Sequence, residues 1–180
     1  MTRETRESPI ETPGRRRKAH YLLISLAILA FDQWTKWLVE MRLPEHTSVE
    51  VIPGLLDLTH VRNTGVAFGF LASHGADGGA WILTGLGLLA LGFVGYYFWS
   101  VPPEEGVLLS ALALIAGGAL GNLVDRAASG AVTDFIDFYV GSYHWHTFNV
   151  ADSAITVGIG LMLVSAFFRR PEAEEAPAES

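Results

Sequence analysis

The chain has 180 residues, half of them hydrophobic and 17% charged, with a formal net charge of −7. That is too apolar for an ordinary soluble domain of this length, so an integral membrane protein is the class to test first. There is no cysteine, which excludes disulfides, thiolate metal sites and cysteine nucleophiles; much of the net negative charge sits in the tail "PEAEEAPAES", and nothing reads as a nucleic-acid surface.

The polar stretch 1–18, ending in "RRRK", is expected to be a disordered tail. The first span follows at about Ala19–Val39, "AHYLLISLAILAFDQWTKWLV". Its charged start resembles that of a signal peptide, but the apolar run passes into "FDQWTKW" without a small-residue cleavage pattern, so it is read as uncleaved. Asp32 and Lys36 lie at the far end of this span with the i,i+4 spacing of an ion pair. The segment from about Glu40 to Gly79 contains "VEVIPGLLDLTHVRNTGVAFGFL", whose β-branched, partly alternating character suggests short strands. Within it, Asn63 and Gly65 of "RNTG" read first as a turn. Phe68 and Phe70 are candidates for the walls of an opening between helices, with plain packing as the alternative.

A second span is expected at about Ala80–Trp99 and a third at about Gly106–Leu123. They are joined by "SVPPEEG" and should form an antiparallel hairpin. Gly117, Gly118 and Gly121 would permit close helix packing, with small residues four apart at Gly117 and Gly121. Asn122 could satisfy backbone groups where this span frays. Asp125 and Arg126 could form a helix-terminal pair, or Arg126 could bind Asp134 or a substrate carbonyl. The connection at about Val124–Thr147 is rich in Asp and aromatics and holds Asp134 and Asp137. His144 and His146 form an H-x-H, but no further ligand sits at a convincing metal spacing, so no metal is expected. The fourth span, Phe148–Phe168, has Asn149 and Asp152 at the spacing of a capping box. The tail 169–180 is expected to be disordered.

Basic residues precede the first span (Arg15–Lys18) and follow the fourth (Arg169, Arg170). The positive-inside rule therefore puts both termini in the cytoplasm, with Trp34 and Trp37 at the outer interface. Asp152 lies 16 residues before Phe168, roughly 24 Å from the inner boundary of a hydrocarbon core about 30 Å thick. Asp125 reaches the same side. Acids converging at one leaflet are functional candidates, because each costs a few kcal/mol if left unpaired. No G-x-S-x-G elbow, HExxH or Walker A occurs, which leaves carboxylate chemistry. Two rival readings remain at this point: a small proton-coupled transporter, and a membrane scaffold that uses its acids to hold helices together.

Four motifs occur in order: "FDQWTKW", "VRNTGVAFGFL", "GGALGNLVDRAASGAVTDFIDFY" and "FNVADSAITVG". Together they resemble lipoprotein signal peptidase (signal peptidase II), the bacterial intramembrane aspartic peptidase family, over about His20–Phe168. The resemblance implies an all-α integral membrane fold of four transmembrane helices, with a small extracytoplasmic β-cradle and a short helix in the last outer connection. It implies an endopeptidase that removes signal peptides from diacylglyceryl-modified prolipoproteins, cleaving before the lipidated cysteine. It places the catalytic pair at Asp134 and Asp152. Asn63, Gly65, Asn122, Asp125, Arg126, Asn149, Asp32 and Lys36 fall at supporting positions. Thr133 stands where the family often has an apolar residue. No metal or cofactor is implied. The expected partners are prolipoprotein substrates and membrane lipid, with the protein a monomer in the bacterial inner membrane and inhibited by globomycin.

Two carboxylates that share a proton supply both a base for water and an acid for the leaving group. Asp152, beside the first N–H groups of the fourth span, is expected to be the ionised member, and Asp134, in an outer loop, the protonated one.

Overall fold

The computed structural model describes residues 13–65 and 75–168. Helix α1 (Pro13–Arg42) is followed by strands β1 (Ser48–Ile52) and β2 (Leu56–Asn63), then by helices α2 (Gly75–Ser100) and α3 (Gly106–Ser129). Strands β3 (Val132–Val140) and β4 (Tyr143–His144) lead into helix α4 (Val150–Phe168). Each of the four helices contains a stretch long and apolar enough to cross a membrane. Two boundary shifts and one missing element matter most. Helix α1 starts at Pro13, so the end of the supposed disordered tail is helical, and proline suits a first helical position because its missing N–H needs no partner there. Helix α3 continues past Leu123 to Ser129, where Gly130, at φ 71°, closes it with a left-handed C-cap. The short helix expected in the last connection is absent from the described residues; β3 and β4 occupy it instead. Phe68, Phe70, Arg169 and Arg170 lie outside the described residues.

Helix α3 is the centre of the bundle. Leu109, Ala111, Leu112 and Ala113 are buried, whereas α2 and α4 leave Leu89, Phe93, Val157 and Leu163 exposed. In a membrane chain such apolar exposure faces lipid. At one end of the bundle, Val94, Phe98, Val101, Leu108, Leu109 and Leu112 form the apolar cluster of the α2–α3 hairpin. Lys18 caps α2 there, its Nζ donating to the carbonyls of Phe98 (3.1 Å) and Trp99 (2.8 Å), where a cation suits a helix C-terminus. Toward the other end, the expected small-residue seam is real. A Cβ on Gly118 would collide with the Ala151 carbonyl, and one on Gly121 with the Asp32 carboxylate. Glycine at these two positions lets α1 and α4 approach α3 closely enough for their polar groups to meet.

The β content exceeds the expectation because both outer segments contribute. The sheet order is β1-β2-β3-β4, antiparallel throughout. Strand β3 pairs with β2 in a register that sets Val61 opposite Asp134 and Asn63 opposite Val132. On its other side, Phe148 donates its N–H to Ile136 (3.0 Å) and accepts from the N–H groups of Ile136 (2.8 Å) and Phe135 (3.0 Å). This bridge fixes the start of α4 against β3.

Candidate active site

Asp134 is on β3, not in a loop, and is nearly fully buried. Asn63 is diagonal to it across the β2–β3 ladder, and its Nδ2 donates to Asp134 Oδ2 at 2.9 Å. The Asn63 carbonyl is itself used: Gly65 N–H donates to Oδ1 at 2.9 Å, and Gly65 adopts φ 79°. The "RNTG" turn thus aims an amide at the carboxyl.

Asn149 is wholly buried at the start of α4. Its Nδ2 donates to Asp134 Oδ1 at 2.7 Å and to Asn122 Oδ1 at 3.2 Å. Its own backbone N–H donates to Asp152 Oδ2 at 3.3 Å, and Asp152 N–H donates to Asn149 Oδ1 at 3.0 Å. These reciprocal bonds are the capping box expected of this pair. Asn122 completes the ring by donating through Nδ2 to Asp152 Oδ1 at 2.8 Å. Two buried amides therefore tie Asp134 and Asp152 into one network, although the two acids come from different elements.

Behind this network is a buried charge cluster. Lys36 Nζ reaches Asp32 Oδ2 at 2.8 Å, Asp125 Oδ2 at 2.7 Å and Asn122 Oδ1 at 3.1 Å, which uses its three donors. Asp32 Oδ1 accepts the Ala151 N–H of α4 at 2.9 Å. The expected Asp32–Lys36 pair is present, but it also recruits Asp125 and orients Asn122. Breaking such a buried cluster by removing one partner costs about 3–5 kcal/mol.

Gln33 and Glu40 were not singled out in the sequence, and Thr133 stood out only as a polar residue where the family often has an apolar one. Gln33 Nε2 donates to Asp125 Oδ1 at 2.7 Å and to the Gly121 carbonyl at 3.2 Å. Thr133 Oγ1 donates to Glu40 Oε1 at 2.6 Å, which gives its polar side chain a partner on α1. The signal for Gln33 and Thr133 was weak, since neutral polar groups carry no charge whose burial would mark them.

Arg126 makes one long bond, Nη1 to the Asn122 carbonyl at 3.4 Å, and lies within electrostatic reach of Asp152, Asp134 and Asp125. It lines a cavity of about 660 Å³ with Arg62, Thr64, Trp81 and Thr84. A groove of about 540 Å³ along α4 is lined by Asp152, Ser153, Thr156, Val157, Trp145 and Phe148. Asp137 does not join the other acids; it pairs with His144 Nδ1 at 2.8 Å.

Burial pushes the Asp134 carboxyl up from 3.8 to about 6; the Asn63 hydrogen bond pulls it down, the Asp152 charge pushes it up, and Asn149 and Lys36 pull it down. A carboxyl so placed is able to hold or release a proton close to neutrality.

Residues 24–168 match the family model described as signal peptidase (SPase) II. The chain is 43% identical to the lipoprotein signal peptidase of Solibacter usitatus, over 91% of this chain and 98% of that protein. It is 44% identical to that of Nitratidesulfovibrio vulgaris, over 87% and 93% respectively. A solved bacterial membrane enzyme, determined by the in meso method at 1.9 Å resolution, superposes with a TM-score of 0.73 at 33% identity, covering 84% of this chain and 95% of the other. The chain belongs to the signal peptidase II family.

Proposed function

We propose that the protein is an aspartic endopeptidase that removes signal peptides from diacylglyceryl-modified prolipoproteins, with Asp134 and Asp152 as its catalytic pair. The observation that carries this reading is the buried Asn149, which donates to Asp134 and caps Asp152 at once. Family membership supplies the substrate class; the carboxyl pair supplies the chemistry.

The reaction needs a base for water and an acid for the scissile amide. Asp152 takes a proton from a water as its oxygen bonds to the carbonyl carbon. Asp134 gives its proton to the carbonyl oxygen, forming a gem-diol. Collapse breaks the C–N bond: Asp152 passes its proton to the departing nitrogen, and Asp134 recovers one from a diol hydroxyl. Both carboxyls end as they began. The raised value at Asp134 suits the donor's role, and dehydration by a bound substrate raises it further. Arg126, beside both acids, is placed to hold a substrate carbonyl.

The site is a few ångströms below the outer surface of the bacterial inner membrane, with both termini cytoplasmic and the protein monomeric. A signal peptide is a membrane helix whose cleavage point is at that depth, so the bond reaches the acids without crossing hydrocarbon. Purified protein incubated with a diacylglyceryl prolipoprotein should release the signal peptide, and globomycin should block the release. Failure of Asp134→Asn and Asp152→Asn, made singly, to abolish cleavage would reject the pair.

A further inference from the structure

Thr133, the residue before Asp134 on β3, is buried and has a polar partner on α1, on α3 and at the start of α4. Its backbone N–H donates to Asp125 Oδ2 at 3.4 Å, and its carbonyl accepts from Asn149 Nδ2 at 3.4 Å. Its hydroxyl donates to Glu40 Oε1 at 2.6 Å. The first two distances are at the long limit of a hydrogen bond. The third is typical of a hydroxyl on an ionised carboxylate, a bond about twice as strong as a neutral one. Glu40 is therefore the firmest of the three tethers.

Side chains alternate along a strand, so Thr133 projects from the face opposite Asp134. A strand held on one face cannot turn about its axis without moving the side chains on the other. Asp134 accepts from Asn63 at 2.9 Å and from Asn149 at 2.7 Å, and both bonds depend on that turn.

Glu40 is not explained by its own helix. It lies in the last turn of α1, which ends at Arg42, where a carboxylate works against the helix dipole. Lys36 is one turn earlier, at the spacing of an ion pair, but directs its three donors to Asp32, Asp125 and Asn122. The last of these contacts leads to the other acid, because Asn122 donates to Asp152 at 2.8 Å. Lys36 and Glu40 are about 6 Å apart along α1, and each reaches one acid through one intermediary.

We propose that Glu40 is a positioning residue for the cleavage reaction: by holding Thr133 it fixes the turn of β3, and with it the approach of Asp134 to Asp152. One turn of α1 thereby sets both acids, Lys36 through Asn122 and Glu40 through Thr133. The inference rests on Asp134 and Asp152 as the catalytic pair and adds the residue that sets their spacing.

Four substitutions separate the bond from bulk and charge. Glu40→Gln keeps an acceptor oxygen and Thr133→Ser keeps a hydroxyl; Glu40→Ala and Thr133→Val remove them. Each is assayed for cleavage of a diacylglyceryl prolipoprotein across pH, with the unfolding temperature measured alongside. Glu40→Ala and Thr133→Val should each lower kcat about ten-fold, with KM changed less than about two-fold. The alkaline limb of kcat/KM should move to higher pH in both, because Asn63 and Asn149, which favour ionised Asp134, bond it less well. The unfolding temperature should fall by no more than about 4 °C. Glu40→Gln and Thr133→Ser should stay within about three-fold of the parent. The double variant Glu40→Ala/Thr133→Val should be no slower than either single one, since both remove the same bond.

Parental kcat in Glu40→Ala would overturn the proposal. So would an equal loss in Glu40→Gln, which assigns the effect to charge, or single losses that multiply in the double variant. A fall in kcat with an unmoved pH limb and a large drop in unfolding temperature would reduce Glu40 to a structural contact. A parent that cleaves nothing, or an Asp134→Asn variant that cleaves, strikes the catalytic pair itself and this inference with it.

Discussion

Asp134→Asn should separate catalysis from stability, and its effect on stability should depend on pH in a defined direction. In the folded chain, burial raises the carboxyl from 3.8 to about 6, a penalty of about 3 kcal/mol on its ionised form. The folded state therefore binds this proton more tightly than the unfolded state. Parent stability from this group is full below 3.8, falls as pH rises toward about 6, and is flat above that. The amide has no such proton. It does present an NH₂ to Asn63 or Asn149, both of which donate to Asp134 in the parent, so at low pH the substitution costs about 1–3 kcal/mol. Between pH 4 and pH 8 the variant should gain about 2.5 kcal/mol relative to the parent, while cleavage is lost at every pH. Paired unfolding measurements in one detergent, across that range, read the difference directly. A difference that does not change with pH, or retained cleavage, would refute the reasoning.

Three further outcomes follow from the same contacts. Asn63→Leu removes the hydrogen bond that holds Asp134 toward its ionised form, so the alkaline limb of kcat/KM should move up by about one pH unit; a limb that moves down or stays would contradict it. Lys36→Met leaves Asp32 and Asp125 buried without their shared cation and should cost about 3–5 kcal/mol of stability, read as a large fall in unfolding temperature. Gly121→Ala drives a methyl into the Asp32 carboxylate and to 3.3 Å from Ala151 Cβ, which should cost about 1–3 kcal/mol and lower activity by moving α4. An alanine variant with parental stability would show that the helices are not so close.

The helices were legible because a spanning segment needs an uninterrupted apolar run, and four helices among the described residues supply one. Local pairs were legible too: Asp32 with Lys36, and Asn149 with Asp152, sit at spacings where helix geometry itself brings them together. What could not be read was anything set by pairing across the chain. "VTDFIDFYV" alternates imperfectly, and its strand forms because β2 and Phe148 flank it on either side. That placement moves Asp134 from an expected loop onto a rigid ladder. It also displaces the short helix expected from the family resemblance. Asp125 was read beside Arg126, its chain neighbour; its partners are Lys36 and Gln33 on α1, a choice made by bundle packing. Asp137, near Asp134 in the chain, is removed from the site by strand alternation alone.

The central claim is that Asp134 and Asp152 together activate one water against the peptide bond before the lipidated cysteine. Cleavage of a diacylglyceryl prolipoprotein in ¹⁸O-water, followed by mass spectrometry of the released signal peptide, tests it most directly. The account predicts one ¹⁸O in the new terminal carboxylate from the parent protein, and no product from either Asp134→Asn or Asp152→Asn. Labelled product from either variant at the parental rate would contradict it.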